Sequence, residues 1–73
     1  KGLFIRVNKT DEAKIPHLKN LLSIFEGKIP VYLYFSDLKK YEFMGKEYLI
    51  DVNDPLIKEL KLIFGDENIV LRV

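Results

Sequence analysis

GKIPVYLYF, residues 27–35, is the stretch on which the fold turns. After Pro30 come five residues, Val31 to Phe35, that are all β-branched, aromatic or leucine, and that is the composition of a strand. Alternation puts Val31, Leu33 and Phe35 on one face and Tyr32 and Tyr34 on the other. The first set can fill a core. The second leaves neighbouring tyrosines on the opposite side, where a function is to be sought. Gly27 reads as the C-cap glycine of a preceding helix.

Upstream, residues 2–8 (GLFIRVN) alternate strictly, Leu3, Ile5 and Val7 against Phe4, Arg6 and Asn8, and read as a first strand. Between the two strands, Ile15, Leu18, Leu21, Leu22 and Phe25 recur at spacings of three and four, the stripe of an amphipathic helix. Thr10 offers an N-cap with Asp11 and Glu12 in the first turn, but Pro16 would then lie too deep. A start near Lys14 or Ile15 puts Pro16 in the first turn, where proline is tolerated.

Downstream, residues 36–40 are mostly polar and read as a loop. Residues 41–43 and 46–52 look extended around Met44-Gly45, a bend or bulge in one long third strand with Tyr48, Ile50 and Val52 facing inward. Asp54-Pro55 reads as an N-cap followed by proline at the first helical position. Leu56, Ile57, Leu60, Ile63 and Phe64 form the stripe of this second helix, and Gly65 ends it. Residues 69–73 close the chain as a strand that sets Ile69, Leu71 and Val73 against Val70 and Arg72.

The order β-α-β-β-α-β predicts an α+β domain of the ferredoxin-like, split type. Two helices cover one face of a mostly antiparallel four-stranded sheet, with the first and third strands central and GKIPVYLYF at an edge. The uncovered face then carries Phe4, Arg6, Tyr32, Tyr34, Val70 and Arg72. Three aromatics and two arginines on one side outweigh ordinary strand composition and mark a contact surface.

Composition narrows the classes. Seventy-three residues make one domain, which buries roughly 60% of its unfolded surface. Its 48% hydrophobic content is enough for a core. With no cysteine there is no disulfide framework or thiolate metal site, and a reducing, cytoplasmic setting is expected. No signal peptide is evident, no apolar run reaches the ~20 residues of a bilayer span, and no membrane partner is expected. A net charge of +1 supplies no electrostatic pull toward nucleic acid. Abundant Lys, Glu and Ile without glutamine or tryptophan lean toward a thermophilic source. The opening Lys1 suggests a piece excised from a longer chain.

Catalysis by this segment is not expected. His17 has no cysteine or carboxylate at ligand spacing and reads as a solvated helix residue. Ser23 and Ser36 lack a base partner, Asp54 is accounted for as a cap beside Asp51, and Gly45-Lys46 has no phosphate-loop surroundings. No catalytic residue, metal or cofactor is assigned. A single-stranded nucleic-acid binder is the alternative, because RNA-recognition domains share this element order and LFIRVN looks like their first motif, with Phe4 as the stacking aromatic. The third-strand signature of that family is missing from residues 45–49 (GKEYL), and Tyr48 falls with the inward set.

GLFIRV, the leucine-rich helix, GKIPVYLYF, YLIDV at 48–52, LIKELK at 56–61 ending at Gly65, and Val70-Leu71 together resemble the extreme C-terminal domain of the bacterial replicative DNA polymerase III alpha subunit. The resemblance covers essentially all 73 residues. Its most specific parts are Gly27-x-x-Pro30-Val31-x-Leu33-Tyr34 and Leu60…Gly65…Val70, none of them catalytic. It implies a parent nucleotidyltransferase that handles DNA through a palm domain outside this segment, with an OB-fold ahead of it. It also implies a non-catalytic module that binds the clamp-loader tau subunit and so links the polymerase to other replisome proteins during replication. The family's contact lies toward the C-terminus, here residues 67–73, which adds Val73 to the candidate protein-binding residues. Some relatives continue into a short acidic tail, so a tail-dependent contact is expected to differ here.

Overall fold

The computed structural model describes residues 1–72, and Val73 lies outside them. Strands β1 (Gly2–Val7), β3 (Val31–Phe35), β4 (Lys40–Phe43) and β5 (Ile69–Arg72) form one sheet in the order β4-β3-β1-β5. β1 and β3 run parallel, while β5 and β4 pair antiparallel on the two outer sides. A short strand β2 (Glu26–Ile29) lies outside that sheet. Helices α1 (Ile15–Ile24) and α2 (Asp54–Phe64) complete an α+β fold.

The inward alternation holds on both central strands. Leu3, Ile5, Val7, Val31 and Leu33 are buried in one cluster with Leu18 and Leu22 of α1 and Leu56, Leu60 and Phe64 of α2. Both helices therefore lie on the same side of the sheet, and no element of the described residues covers the other side.

The strand order departs from the expected split arrangement. GKIPVYLYF is not at an edge; β3 lies directly against β1, with Leu3 opposite Val31 and Ile5 opposite Leu33. The cause is the fate of residues 46–52. Gly45 takes φ +115, outside the strand region, and the chain then makes a single 3-10 turn at Lys46–Tyr48. Beyond it, Ile50 bridges to Glu26 and Ile29 of β2 and is fully buried, while Tyr48 and Val52 pack on the core. The long third strand that would have separated the first two never forms. Only Lys40–Phe43 remains extended, and it closes a hairpin on the free edge of β3 through a turn with Lys39 at φ +50.

α1 starts as the proline requires, with Pro16 in its first turn. Ahead of it, Lys9–Lys14 forms a 3-10 segment held by Asp11, whose carboxylate accepts from the Asn8 backbone N–H at 3.1 Å and from Lys14 Nζ at 2.8 Å. Lys14 Nζ also donates to the Ile63 carbonyl at 2.9 Å, tying this segment to the end of α2. Gly27 is not a cap. α1 is capped at Phe25, and Gly27 lies within β2, its N–H donating to the Leu49 carbonyl at 3.0 Å while the Asp51 N–H donates to Phe25 at 2.7 Å. α2 begins one residue earlier than expected. Asn53 is its N-cap, accepting from the Leu56 N–H at 3.0 Å, so Asp54 is already helical. Gly65, at φ +97, ends α2 as its sequence position suggests.

Candidate functional site

The uncovered face is built by register. One row across the sheet runs Phe43, Tyr32, Phe4, Val70, because Phe4 pairs with Tyr32 on one side and Val70 on the other, and Tyr32 pairs with Phe43. The next row runs Tyr41, Tyr34, Arg6. Arg72 pairs with Gly2 and so takes the same face as Val70 two residues earlier. Six of the candidate residues, Phe4, Arg6, Tyr32, Tyr34, Val70 and Arg72, thus share one side of the sheet. Val73 lies outside the described residues.

Tyr41 and Phe43 join them, on a face that alternation alone does not assign to them. Their i, i+2 spacing was visible, but which face they would take depends on the length of the turn before them. That turn sets Phe35 opposite Lys40, and Tyr34 therefore meets Tyr41.

The five rings make one connected ladder. Phe4 and Tyr32 stack at 5.1 Å between centroids with planes 15° apart. Tyr32 meets Phe43 at 5.5 Å, Phe4 meets the edge of Tyr41 at 5.9 Å, and Tyr41 meets Tyr34 at 4.7 Å. Each such pair contributes about 0.5–1.5 kcal/mol beyond its buried area, so the ladder stiffens a sheet that has a helical layer on one side only. It is not sealed from water: Tyr41 is 62% exposed, Phe43 46% and Val70 42%. Phe4, Tyr32 and Tyr34 are half-buried.

Around Arg6 the face dips into a shallow depression of about 340 Å³ that reaches from β4 to β5, lined by Phe4, Arg6, Tyr34, Tyr41 and Val70 together with Glu67 and Asn68. Arg6 is exposed there. Its guanidinium enters neither of the ion pairs found among the described residues, which are Lys14–Asp11 and Lys61–Asp66. Glu67 belongs to the 3-10 turn Asp66–Asn68, and its carboxylate folds back toward Gly65. The depression is therefore aromatic and carries the Arg6 guanidinium, which is in no ion pair among the described residues.

Elsewhere the chemistry is sparse. His17 is exposed on α1, and among the described residues no cluster of three or more His, Cys, Asp or Glu side chains could hold a metal. Among the same residues no helix is long and apolar enough to cross a membrane. The Asp11 carboxyl is displaced from its ordinary pKa. The Lys14 ammonium hydrogen-bonded to Asp11 holds that carboxyl below its ordinary value of 3.8, outweighing the opposing effect of burial. That group lies in the Lys9–Lys14 segment and is not among the residues that build the aromatic face. Compared with models of known protein families, with curated proteins and with solved structures, the chain matches none.

Proposed function

We propose that this domain is a non-catalytic protein-interaction module that docks its partner on the aromatic face of the sheet. The single observation that carries the reading is the ladder of five rings, contiguous over three adjacent strands and left without a covering layer. Aromatic-rich, partly dehydrated surfaces of this kind are where protein contacts concentrate their binding energy. The resemblance of the chain to the C-terminal domain of a bacterial DNA polymerase III alpha subunit names the partner: the clamp-loader tau subunit, in the cytoplasm, with DNA handled by the parent polymerase.

The alternative, a single-stranded nucleic-acid platform, gains from the strand order, since Phe4, Tyr32 and Tyr34 all lie on the two central strands. The ring geometry weighs the other way. Phe4 and Tyr32 already stack on each other, which uses one face of each ring that a base would need. A calorimetric titration of the domain with the tau subunit tests the proposal. Wild type is expected to bind; Phe4→Ala and Tyr34→Ala are each expected to weaken binding by about tenfold or more, as truncation of a central anchor does, and Arg72→Ala, on the outer strand, to weaken it less. Unchanged affinity in all three variants would place the contact on another surface.

A further inference from the structure

We propose that the depression beside Arg6 receives an acidic-apolar segment of the protein partner, one carboxylate pairing with the guanidinium and an adjacent apolar side chain seated among Phe4, Tyr34, Tyr41 and Val70. The inference rests on the docking reading above and states the chemistry of its occupant.

Charge complementarity carries it. Arg6 sits in the second row of the face, next to Tyr34 across the β1–β3 pairing, and is exposed. The carboxylate nearest in the lining, Glu67, is drawn toward Gly65 and makes no ion pair with it. Neither cation–π contact among the described residues involves Arg6; those belong to Lys14 and Lys19. An arginine carries five donors in a planar fork that fits a carboxylate bidentately, and none of those on Arg6 is engaged in an ion pair among the described residues. Rings beside it lower the local polarity and strengthen such a pair relative to one in open water. Arg72, on the same face toward its other end, adds a second positive charge. The net charge of +1 means the preference is local to this face and not a field of the whole molecule.

Two blocked peptides test the proposal, acetyl-Leu-Asp-Leu-amide and its asparagine counterpart, titrated into the 73-residue chain and followed by amide NMR. The aspartate peptide should shift Phe4, Arg6, Tyr34, Tyr41 and Val70 and bind about fivefold more tightly than the asparagine one, the scale of one partly screened charge pair. That preference should vanish in Arg6→Gln, whose exposed position leaves the rest of the spectrum unchanged. Equal binding of the two peptides, a preference that survives Arg6→Gln, or no shift from either up to about 10 mM overturns it. So does a thymidine decanucleotide that shifts the same amides when the peptides do not. The two readings fail differently. Tau binding that is weakened by Tyr34→Ala without any aspartate preference removes the Arg6 pairing and leaves the docking face. Tau binding indifferent to Tyr34→Ala removes the face itself.

Discussion

Gly27 shows how a residue can be indispensable for a reason that spacing does not reveal. Its φ is not positive, so backbone conformation alone would admit any side chain. A Cβ there would fall on the backbone of Ile50 and Asp51, which cannot retreat, because Ile50 is fully buried and the Gly27–Leu49 and Asp51–Phe25 hydrogen bonds fix the two segments together. Gly27→Ala should therefore cost about 3 kcal/mol or more, well above an ordinary helix-cap replacement, measurable as a lower urea midpoint. In the sequence, a glycine after an apolar stripe carries the signature of a helix end, and nothing local distinguishes it from a close approach by a segment more than twenty residues away. Asp11 is a second case. It reads as a first-turn acid, whereas its carboxylate is buried and joins Asn8 and Lys14. Because its native pKa is depressed, its contribution is complete above the ordinary value of 3.8 and is lost as pH falls below that through the native value. Asp11→Ala should cost about 1–3 kcal/mol at neutral pH, the difference from wild type narrowing in denaturant melts taken below that value.

Among the elements, those with a strong periodic signal are the ones the sequence discloses. The first strand, the VYLYF run and both helical stripes each alternate or repeat without interruption, and each forms a strand or helix, although β3 is central and the helix caps shift. The stretch 46–52 alternates equally well and yet is not a sheet strand. Of its inward residues Ile50 is buried, bridged to β2, while Tyr48 and Val52 are half-buried against the core. Periodicity reports which side of a segment is buried; it does not report against what. The start of α2 offers a sharper comparison at the scale of one turn. Asn53 and Asp54 are both good cap types, and only the Leu56 N–H bond decides between them. Asn53→Ala should destabilise by about 1 kcal/mol, while Asp54→Ala should cost only the few tenths that a first-turn acid contributes. Equal losses in thermal melts of the two variants would move the cap to Asp54.

At the scale of the molecule, the strand order and the aromatic face are linked. Because residues 46–52 leave the sheet, β3 pairs directly with β1, and Phe4 comes into stacking distance of Tyr32. In the split order another strand would have lain between them. The sequence showed which residues face away from the helices, since that follows from alternation, but not that their rings would meet, since that follows from strand neighbours. The opposite face depends on a thin core. At about 0.05–0.15 kcal/mol per residue, a 73-residue domain has only about 4–11 kcal/mol of stability. Leu60 is fully buried between sheet and helices, and Leu60→Ala should remove about 2–5 kcal/mol, lowering Tm by roughly 10–30 °C in a calorimetric scan. The ladder has one more consequence, which is optical. The chain has no tryptophan and four tyrosines, and three of these, Tyr32, Tyr34 and Tyr41, lie in the ladder. Their rings sit close enough to neighbouring rings to couple electronically, so the tyrosine band of the near-ultraviolet circular dichroism spectrum belongs mainly to this one surface. The unlabelled protein thus carries its own reporter, weighted toward whatever settles on the rings, with Tyr48 on the core side as the one tyrosine outside the ladder.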